Sequence, residues 1–130
     1  MNLERKDITE NVLAIRLGHS YREGMTAQEL YDVTRGYWVL DRRKAEQMEY
    51  AFCIYKGVVK EVYQIGQWFP AGTVPRPTIP GGAVPEGRYE FVGTVAEPRI
   101  RTKYVGKSVA DLFAWGTANP IRYFWADEAE

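Results

Sequence analysis

The sequence predicts a single α+β domain, built as a small, mixed and partly closed β-barrel of five or six strands with two short helices. Apolar and β-branched runs of strand length recur along the chain, and two segments carry signals that start helices. The chain has 130 residues, of which 45% are hydrophobic, so it is long enough for one core and too short for two. We therefore expect one domain over residues 1–130.

The sheet is expected to begin near residue 12. Residues 1–10 are polar and are predicted to fray. Residues 12–17 form a short apolar run that Gly18 stops, which is typical of a buried first strand.

A helix is predicted over residues 27–35. Thr26 and Glu29 have the spacing of a capping box, in which a hydroxyl and a carboxylate satisfy free amides at a helix start. Gly36 is expected to end this helix in a left-handed conformation, and residues 37–40 are expected to form a strand.

A hairpin is the clearest structural signal in the sequence. Residues 50–55 and 58–65 are β-branched and aromatic runs, and Lys56 and Gly57 separate them. Glycine accepts the positive φ that a tight turn requires. A polar, helical turn is expected just before the hairpin, over residues 41–49.

The second half of the chain is predicted to be loop-rich. Residues 66–87 are rich in proline and glycine and are expected to form a long loop with little regular structure. A strand is expected over 89–95, a helix capped by Ser108 and running to residue 116, and a last strand over 121–125.

Charge and cysteine content favour a reducing, cytoplasmic setting. Basic and acidic residues both number 17, so any attraction to nucleic acid must come from a local patch. The single cysteine, Cys53, lies in an apolar run and has no partner for a disulfide. No apolar run reaches the roughly 20 residues that cross a bilayer, and the first residues do not resemble a signal peptide.

The segment around Trp38 is the main candidate for a binding site. Arginine pairs with phosphate and stacks on rings, and tryptophan offers a broad face to a base. Arg35, Trp38, Arg42 and Arg43 are therefore expected to hold a flat anionic ligand, with Trp68 closing the pocket. The same residues have a structural interpretation, in which Trp38 is core, the arginines pair with nearby glutamates and Trp68 anchors the loop.

Three polar residues outside this segment are further candidates. Lys107 and Ser108 stand at an expected helix start, where free amides favour an anion; the alternative is that Ser108 only caps the helix and Lys107 is solvated. His19 is the only histidine, and it is expected to be an exposed loop residue, a ligand contact or an acid-base group. A nuclease or hydrolase that uses His19 and Lys107 is thus an alternative function. One cysteine and one histidine do not make a structural zinc site, and we expect neither a metal nor a cofactor.

Three motifs give the sequence a resemblance to known proteins. Glu-Leu-Tyr-Asp-x-Thr-Arg-Gly-x-Trp occurs at residues 29–38, Tyr-Ala-Phe-x-x-Tyr-x-Gly-Val-Val at 50–59 and Lys-Tyr-Val-Gly-Lys-Ser at 103–108. The chain resembles a bacterial and phage group that shares these motifs and that has no established activity. Its element order, with a hairpin followed by an aromatic loop, also resembles the small barrels of the PUA-like superfamily, including ASCH and EVE domains.

The PUA-like resemblance implies a cleft that accepts a base, a nucleotide or a modified base in nucleic acid. The sequence is therefore expected to encode a non-enzymatic binding module. Such a module would sequester a nucleotide signal or read modified nucleic acid in a phage or bacterial defence context. A protein-protein interaction domain, for example a homodimer formed through exposed aromatic residues, is the remaining alternative.

Overall fold

A computed structural model describes residues 1–113 and 118–128, which form one five-stranded sheet with helices on both faces. The strands are β1 (Val12–Leu17), β2 (Tyr50–Tyr55), β3 (Val58–Pro70), β4 (Tyr89–Val95) and β5 (Ile121–Phe124). The α-helices are α1 (Ala27–Thr34), α2 (Arg42–Ala45) and α3 (Pro98–Tyr104). Among the described residues, no helix has the length and apolar character needed to cross a membrane.

The strand order is β4-β3-β2-β1-β5. β1 and β2 are parallel and are connected through α1 and α2, whereas the other neighbouring strands are antiparallel. Across the described ranges the edge strands β4 and β5 do not pair with each other, so the sheet is open. The predicted α+β class with a mixed sheet is confirmed, and the described residues form three α-helices where two were expected.

The start of α1 is confirmed, but its end differs from the prediction. The hydroxyl of Thr26 accepts a hydrogen bond from the amide of Glu29 at 3.1 Å, and the Glu29 carboxylate accepts one from the Thr26 amide at 2.9 Å. Gly36 does not adopt a left-handed conformation. Glycine is required there for a different reason, because a Cβ at this position would lie 2.9 Å from the Cβ of Glu90.

The expected strand over residues 37–40 is wrong, because this segment pairs with β4 only through an isolated bridge between Trp38 and Tyr89. The segment instead crosses between the two edges of the sheet. The Trp38 amide donates to the Tyr89 carbonyl of β4 at 2.9 Å, and the Asp41 amide donates to the Tyr123 hydroxyl of β5 at 3.1 Å. Residues 37–41 therefore hold the open edges together at one end of the sheet.

The hairpin is confirmed. β2 pairs with β3 in an antiparallel register, and the two residues between them, Lys56 and Gly57, have φ values of 48° and 78°. Two central residues with positive φ are typical of the turn whose twist matches paired strands. A helical turn in the 41–49 segment is also confirmed, as α2.

The predicted loop begins later than expected. β3 is a 13-residue strand that continues through Gly66 to Pro70, so the irregular segment covers residues 71–88. Its register with β4 shifts between Ile65 and Gln67, and a Cβ on Gly66 would lie 2.9 Å from the Val92 carbonyl oxygen. Gly66 thus marks a β-bulge, where a glycine permits close approach of two strands, and not the end of the strand.

The predicted helix starting at Ser108 is wrong as far as the structure describes it. Ser108 forms bridges with Asn2 and Val58, and only a three-residue 3-10 helix, Ala110–Leu112, follows. Residues 114–116 of that prediction lie outside the described ranges. The helix in this region is α3, which the sequence analysis did not predict.

The two faces of the sheet have separate cores. One core packs the N-terminal residues and α3 against the sheet and includes Leu3, Ile8, Phe52, Ile100 and Tyr104. The other lies under α1 and α2 and includes Leu13, Ile15, Tyr63, Trp68 and Phe91. The long loop therefore leaves β3 and enters β4 beside the second core.

Candidate functional site: the cleft beside the proline-glycine loop

The proline-glycine loop (residues 71–88) is attached to the domain by a buried cluster of charged side chains. Arg35 lies 3.2 Å from the carboxylate of Glu90, and its Nε lies 4.0 Å from the carboxylate of Asp32. These three side chains, which we call the anchor cluster, are at most 1% exposed. Buried charges require partners, so both carboxylates depend on Arg35 and Arg35 depends on them.

The anchor cluster also binds the backbone of the loop. The Glu90 carboxylate accepts hydrogen bonds from the amides of Gly72 at 2.7 Å and Val74 at 2.8 Å. Asp32 accepts from the amide and the hydroxyl of Thr78 at 3.0 and 2.6 Å. In return, Arg35 donates to the carbonyls of Val74 and Pro75 at 3.0 and 2.7 Å. The first half of the loop therefore follows a defined path although it has no regular secondary structure.

A second arginine, Arg76, lies between the loop and the end of α1. Its Nη1 donates to the carbonyl of Gly36 at 2.7 Å, and its guanidinium lies over the ring of Tyr37 at 3.7 Å from the ring centre. The Nε atom of Arg76 is buried and has no hydrogen-bond partner among the described residues. One donor of Arg76 is thus buried without a partner beside an aromatic ring.

The loop and Tyr37 enclose a cleft of about 580 Å³. Among the described residues, its lining consists of Tyr37 and of loop residues between Gly72 and Val84, and Arg76 is the only charged one of them. Gly81, Gly82 and Ala83 also border the cleft, and in the described part of the chain their amides donate to no acceptor. This volume lies within the range of about 300–1,000 Å³ that is usual for small-molecule sites.

A second cleft, between α1 and the outer edge of β4, is smaller, at about 280 Å³. It is lined by Ala27, Gln28, Tyr31, Tyr63, Gly93, Thr94 and Val95. None of these side chains is charged, and this cleft therefore offers little to orient an ionic ligand.

The structure places the predicted ligand residues of the Trp38 segment in different environments. Arg35 is buried in the anchor cluster, with its guanidinium bound to Glu90 and to two loop carbonyls. Trp38 is half-buried, and its indole donates to the Thr34 carbonyl at 2.8 Å. Arg42 and Arg43 are exposed on α2. The segment therefore divides into an interior part that shapes the loop and an exposed part that faces solvent.

Trp68 is a core residue. It is 3% exposed, its indole donates to the Ala45 carbonyl at 3.1 Å, and its ring contacts the edge of Phe91 with ring centres 5.3 Å apart. The structure supports the interpretation in which Trp68 anchors the start of the loop to the domain.

His19, Lys107 and Ser108 do not form a group with the cleft. His19 is exposed in the turn after β1. The ammonium of Lys107 donates to the carbonyl of Lys103 at 2.6 Å, and Ser108 pairs with the N-terminal segment. Within the described ranges, no hydrogen bond or ion pair joins His19 to either residue.

Few side chains in the described part of the chain are suited to metal binding or to thiol chemistry. No cluster of three or more histidine, cysteine, aspartate or glutamate side chains is placed to hold a metal ion there. Cys53 is fully buried in the middle of β2, and this burial raises the pKa of its thiol to about 11. The thiolate, which is the reactive form, is therefore disfavoured at neutral pH.

Tyr37 and Arg76 are the cleft residues that the sequence analysis missed. Arg76 lies between two prolines in a segment expected to lack structure, and Tyr37 stands beside the more conspicuous Trp38. The Pro-Arg-Pro sequence was the available signal, because two fixed φ angles restrict where the arginine can point.

Comparison of the chain with family models, with curated proteins and with solved structures gave no match. Its function is therefore inferred from the cleft and the surface around it.

Proposed function

We propose that this chain is a non-enzymatic binding module that recognises a nucleotide, a nucleobase or a modified base in the cleft beside the proline-glycine loop. The observation that carries the proposal is the stacked pair of Arg76 and Tyr37 at the cleft. A planar guanidinium on a planar ring extends the flat surface that a base can stack on.

The chemistry of the cleft suits an anionic ligand with an aromatic ring. Arg76 contributes a permanent positive charge to the lining of the cleft. The unpaired amides of Gly81, Gly82 and Ala83 provide further donors of the kind that bind phosphate oxygens. The ring of Tyr37 contributes an apolar face.

The anchor cluster supports the proposal through its effect on the loop. Because Asp32, Arg35 and Glu90 fix the loop backbone over residues 72–78, this part of the cleft wall is formed before a ligand enters. A preformed site avoids part of the entropy cost of ordering a loop on binding. In this proposal Arg35 positions the loop and does not contact the ligand.

A relationship to the PUA-like superfamily belongs to the same proposal. Its support is the mixed sheet of a small domain, together with a cleft beside a long loop. Fold analogy gives only an association, so the ligand class is proposed from the cleft residues.

A thermal-shift screen with mononucleotides, cyclic nucleotides, nucleosides and base-modified nucleosides tests this function. Ligand at about 100 times its Kd is expected to add roughly 2.7 kcal/mol of stability, which raises Tm measurably. Tyr37→Ala and Arg76→Ala are expected to lose the shift, and Tyr37→Phe is expected to keep it because the ring remains.

The Tm of each unliganded variant serves as the control for folding. The proposal is overturned if no ligand class raises the Tm of the natural protein. It is also overturned if Tyr37→Ala, folded as shown by its own melting transition, keeps the full shift.

A further inference from the structure

The cleft lies at one end of a longer series of charged and aromatic side chains. Three cations lie over three tyrosine rings along residues 37–44 and their neighbours: Arg76 over Tyr37 at 3.7 Å, Arg42 over Tyr89 at 5.8 Å and Lys44 over Tyr123 at 5.8 Å. We refer to these three pairs as the cation–ring row. Tyr123 in turn stacks on Trp125, with ring centres 6.3 Å apart and planes 25° apart.

Backbone contacts make the row continuous. Trp38, which follows Tyr37, is hydrogen-bonded in both directions to Tyr89, at 2.9 Å each. Asp41, which precedes Arg42, is hydrogen-bonded to the hydroxyl of Tyr123. The row therefore runs from the proline-glycine loop, past the start of β4 and over α2, to β5.

Among the described residues, the cations of the row and the arginines next to them are not ion-paired with carboxylates. In the described part of the chain, Arg42, Arg43 and Lys44 have no carboxylate oxygen within 4.0 Å, and neither do Arg76 and Arg88 near the loop. Asp41 is the acidic residue within this segment, and one of its oxygens accepts the Lys44 amide as a helix cap.

The basic residues of α3 provide a contrast. Arg101 and Lys103 are both ion-paired, with Glu61 and Glu10. The protein as a whole has formal charge +0, so the unpaired cations of the row form a local positive surface.

We propose that the cation–ring row binds a single strand of nucleic acid, whose phosphates meet Arg42, Arg43 and Lys44 while successive bases pack on the tyrosine rings. This inference rests on the proposed function, because one nucleotide of the strand occupies the cleft beside Tyr37. A free mononucleotide fills the cleft alone and leaves the row beyond Tyr89 unused. A polymer uses all of it, since each nucleotide of a strand brings one phosphate and one base, and each pair of the row brings one cation and one ring.

Fluorescence anisotropy with labelled single-stranded oligonucleotides of about ten nucleotides tests the row, since single-strand sites commonly span about 4–16 nucleotides. A matched duplex and an unlabelled mononucleotide competitor are the other ligands. The natural protein is expected to bind the single strand at least about tenfold more tightly than the duplex or the mononucleotide.

The test variant replaces Arg42, Arg43 and Lys44 with alanine. The matched control is Lys56→Ala with Lys60→Ala, because these lysines also lie over tyrosine rings, at 5.4 and 5.7 Å, but at the hairpin end of the sheet. The triple variant is expected to lose at least about tenfold in affinity and to lower the slope of log affinity against log salt by about 2. The control is expected to change neither quantity.

The two proposals fail in different ways. If the triple variant binds the oligonucleotide as tightly as the control does, the row has no role and this inference is overturned, whatever happens in the cleft. If mononucleotides bind and are lost with Tyr37→Ala, but the single strand binds no more tightly than a mononucleotide, the cleft stands and the row is overturned. If neither ligand binds, both proposals are overturned and a protein partner becomes the better explanation of this surface.

Discussion

Two irregular segments pack against this sheet, and they are held by opposite kinds of chemistry. The N-terminal residues 1–11 insert Leu3 and Ile8 into an apolar core, and their backbone pairs with Ser108. The proline-glycine loop contributes mostly half-exposed or exposed side chains and is held through the anchor cluster. Apolar burial tolerates small displacements, whereas a buried charge requires every partner in place. The loop is therefore positioned more strictly than its composition indicates.

Removing the charge of Arg35 is expected to have the largest effect. Arg35→Met leaves Asp32 and Glu90 buried without a counter-charge, and the free energy of unfolding should fall by about 3–5 kcal/mol. Urea unfolding measures this fall in the free energy of unfolding. Arg35→Lys keeps the positive charge but not the several donors of the guanidinium, and it is expected to lose less unfolding free energy than Arg35→Met.

The matched control for Arg35 is Arg101→Met. Arg101 pairs with Glu61 near the surface, and its side chain is 42% exposed. A loss within about 1 kcal/mol is expected for this more exposed pair. Equal losses of unfolding free energy in the two methionine variants would show that the anchor cluster contributes no more to stability than the more exposed ion pair.

Truncating an apolar anchor of the N-terminal segment should have the next largest effect. Ile8→Ala empties part of a fully buried site, and about 2–4 kcal/mol of stability should be lost. The partner variant is Ile79→Ala in the loop, where the side chain is half-buried and a loss below about 1 kcal/mol is expected. A larger loss of stability in Ile79→Ala than in Ile8→Ala, measured by denaturant unfolding, would contradict the contrast between the two segments.

A single hydrogen bond of the loop should have a smaller and more local effect. Thr78→Val removes the hydroxyl that donates to Asp32 at 2.6 Å but keeps the amide bond to the same carboxylate. About 1.5 kcal/mol should be lost. Hydrogen exchange is expected to speed up at Gly72 and Val74 while the core strands stay protected. Thr102→Val, at an exposed position of α3, should leave both measurements unchanged.

Alkaline pH should affect the N-terminal segment through Tyr104. Its hydroxyl is buried beside Thr9 and Glu10, and burial, followed by the Glu10 hydrogen bond, raises the pKa of Tyr104 above its ordinary value of 10.0. Because the pKa of Tyr104 is raised in the folded protein, the contribution of its neutral hydroxyl to the free energy of unfolding is complete below pH 10. This contribution is lost as the pH rises further, because only the unfolded chain then ionises.

The expected loss is about 1 kcal/mol between pH 9 and 10.5. Tyr104→Phe should flatten this part of the pH profile, measured by urea unfolding at each pH. An unchanged slope in the phenylalanine variant would show that other buried groups, such as Cys53 and Tyr63, account for the alkaline loss.

Local signals explain what the sequence analysis predicted correctly. The capping box of α1, the apolar run of β1 and the Lys56-Gly57 turn each lie within a few neighbouring residues. α3 was missed because its N-cap, Glu97, makes no side-chain capping bond and only Ile100 and Tyr104 are buried. The predicted strand was shorter than β3 because, in the sequence, a glycine at a bulge cannot be distinguished from a glycine that starts a loop.

The residues that form the candidate site could not be predicted, because they are brought together by contacts that sequence spacing does not reveal. Arg35 meets Glu90 across 55 residues of chain, and that contact decides that Arg35 is interior. Arg76 reaches Gly36 across 40 residues. The exposed positions of Arg42 and Arg43 on a polar turn were within reach of sequence reasoning, whereas the pairing of each cation with a particular tyrosine required the fold.

The tip of the proline-glycine loop differs from its attached half. Gly81 and Gly82 have open space around them, and a side chain built at either position meets no atom within 4 Å. Among the described residues, the hydrogen bonds that the anchor cluster makes to the loop all fall on residues 72–78. Natural variation or laboratory randomisation at the tip would therefore alter the chemistry of the cleft wall without loosening its attachment, which makes this loop a place where related chains could diverge in ligand while retaining one scaffold.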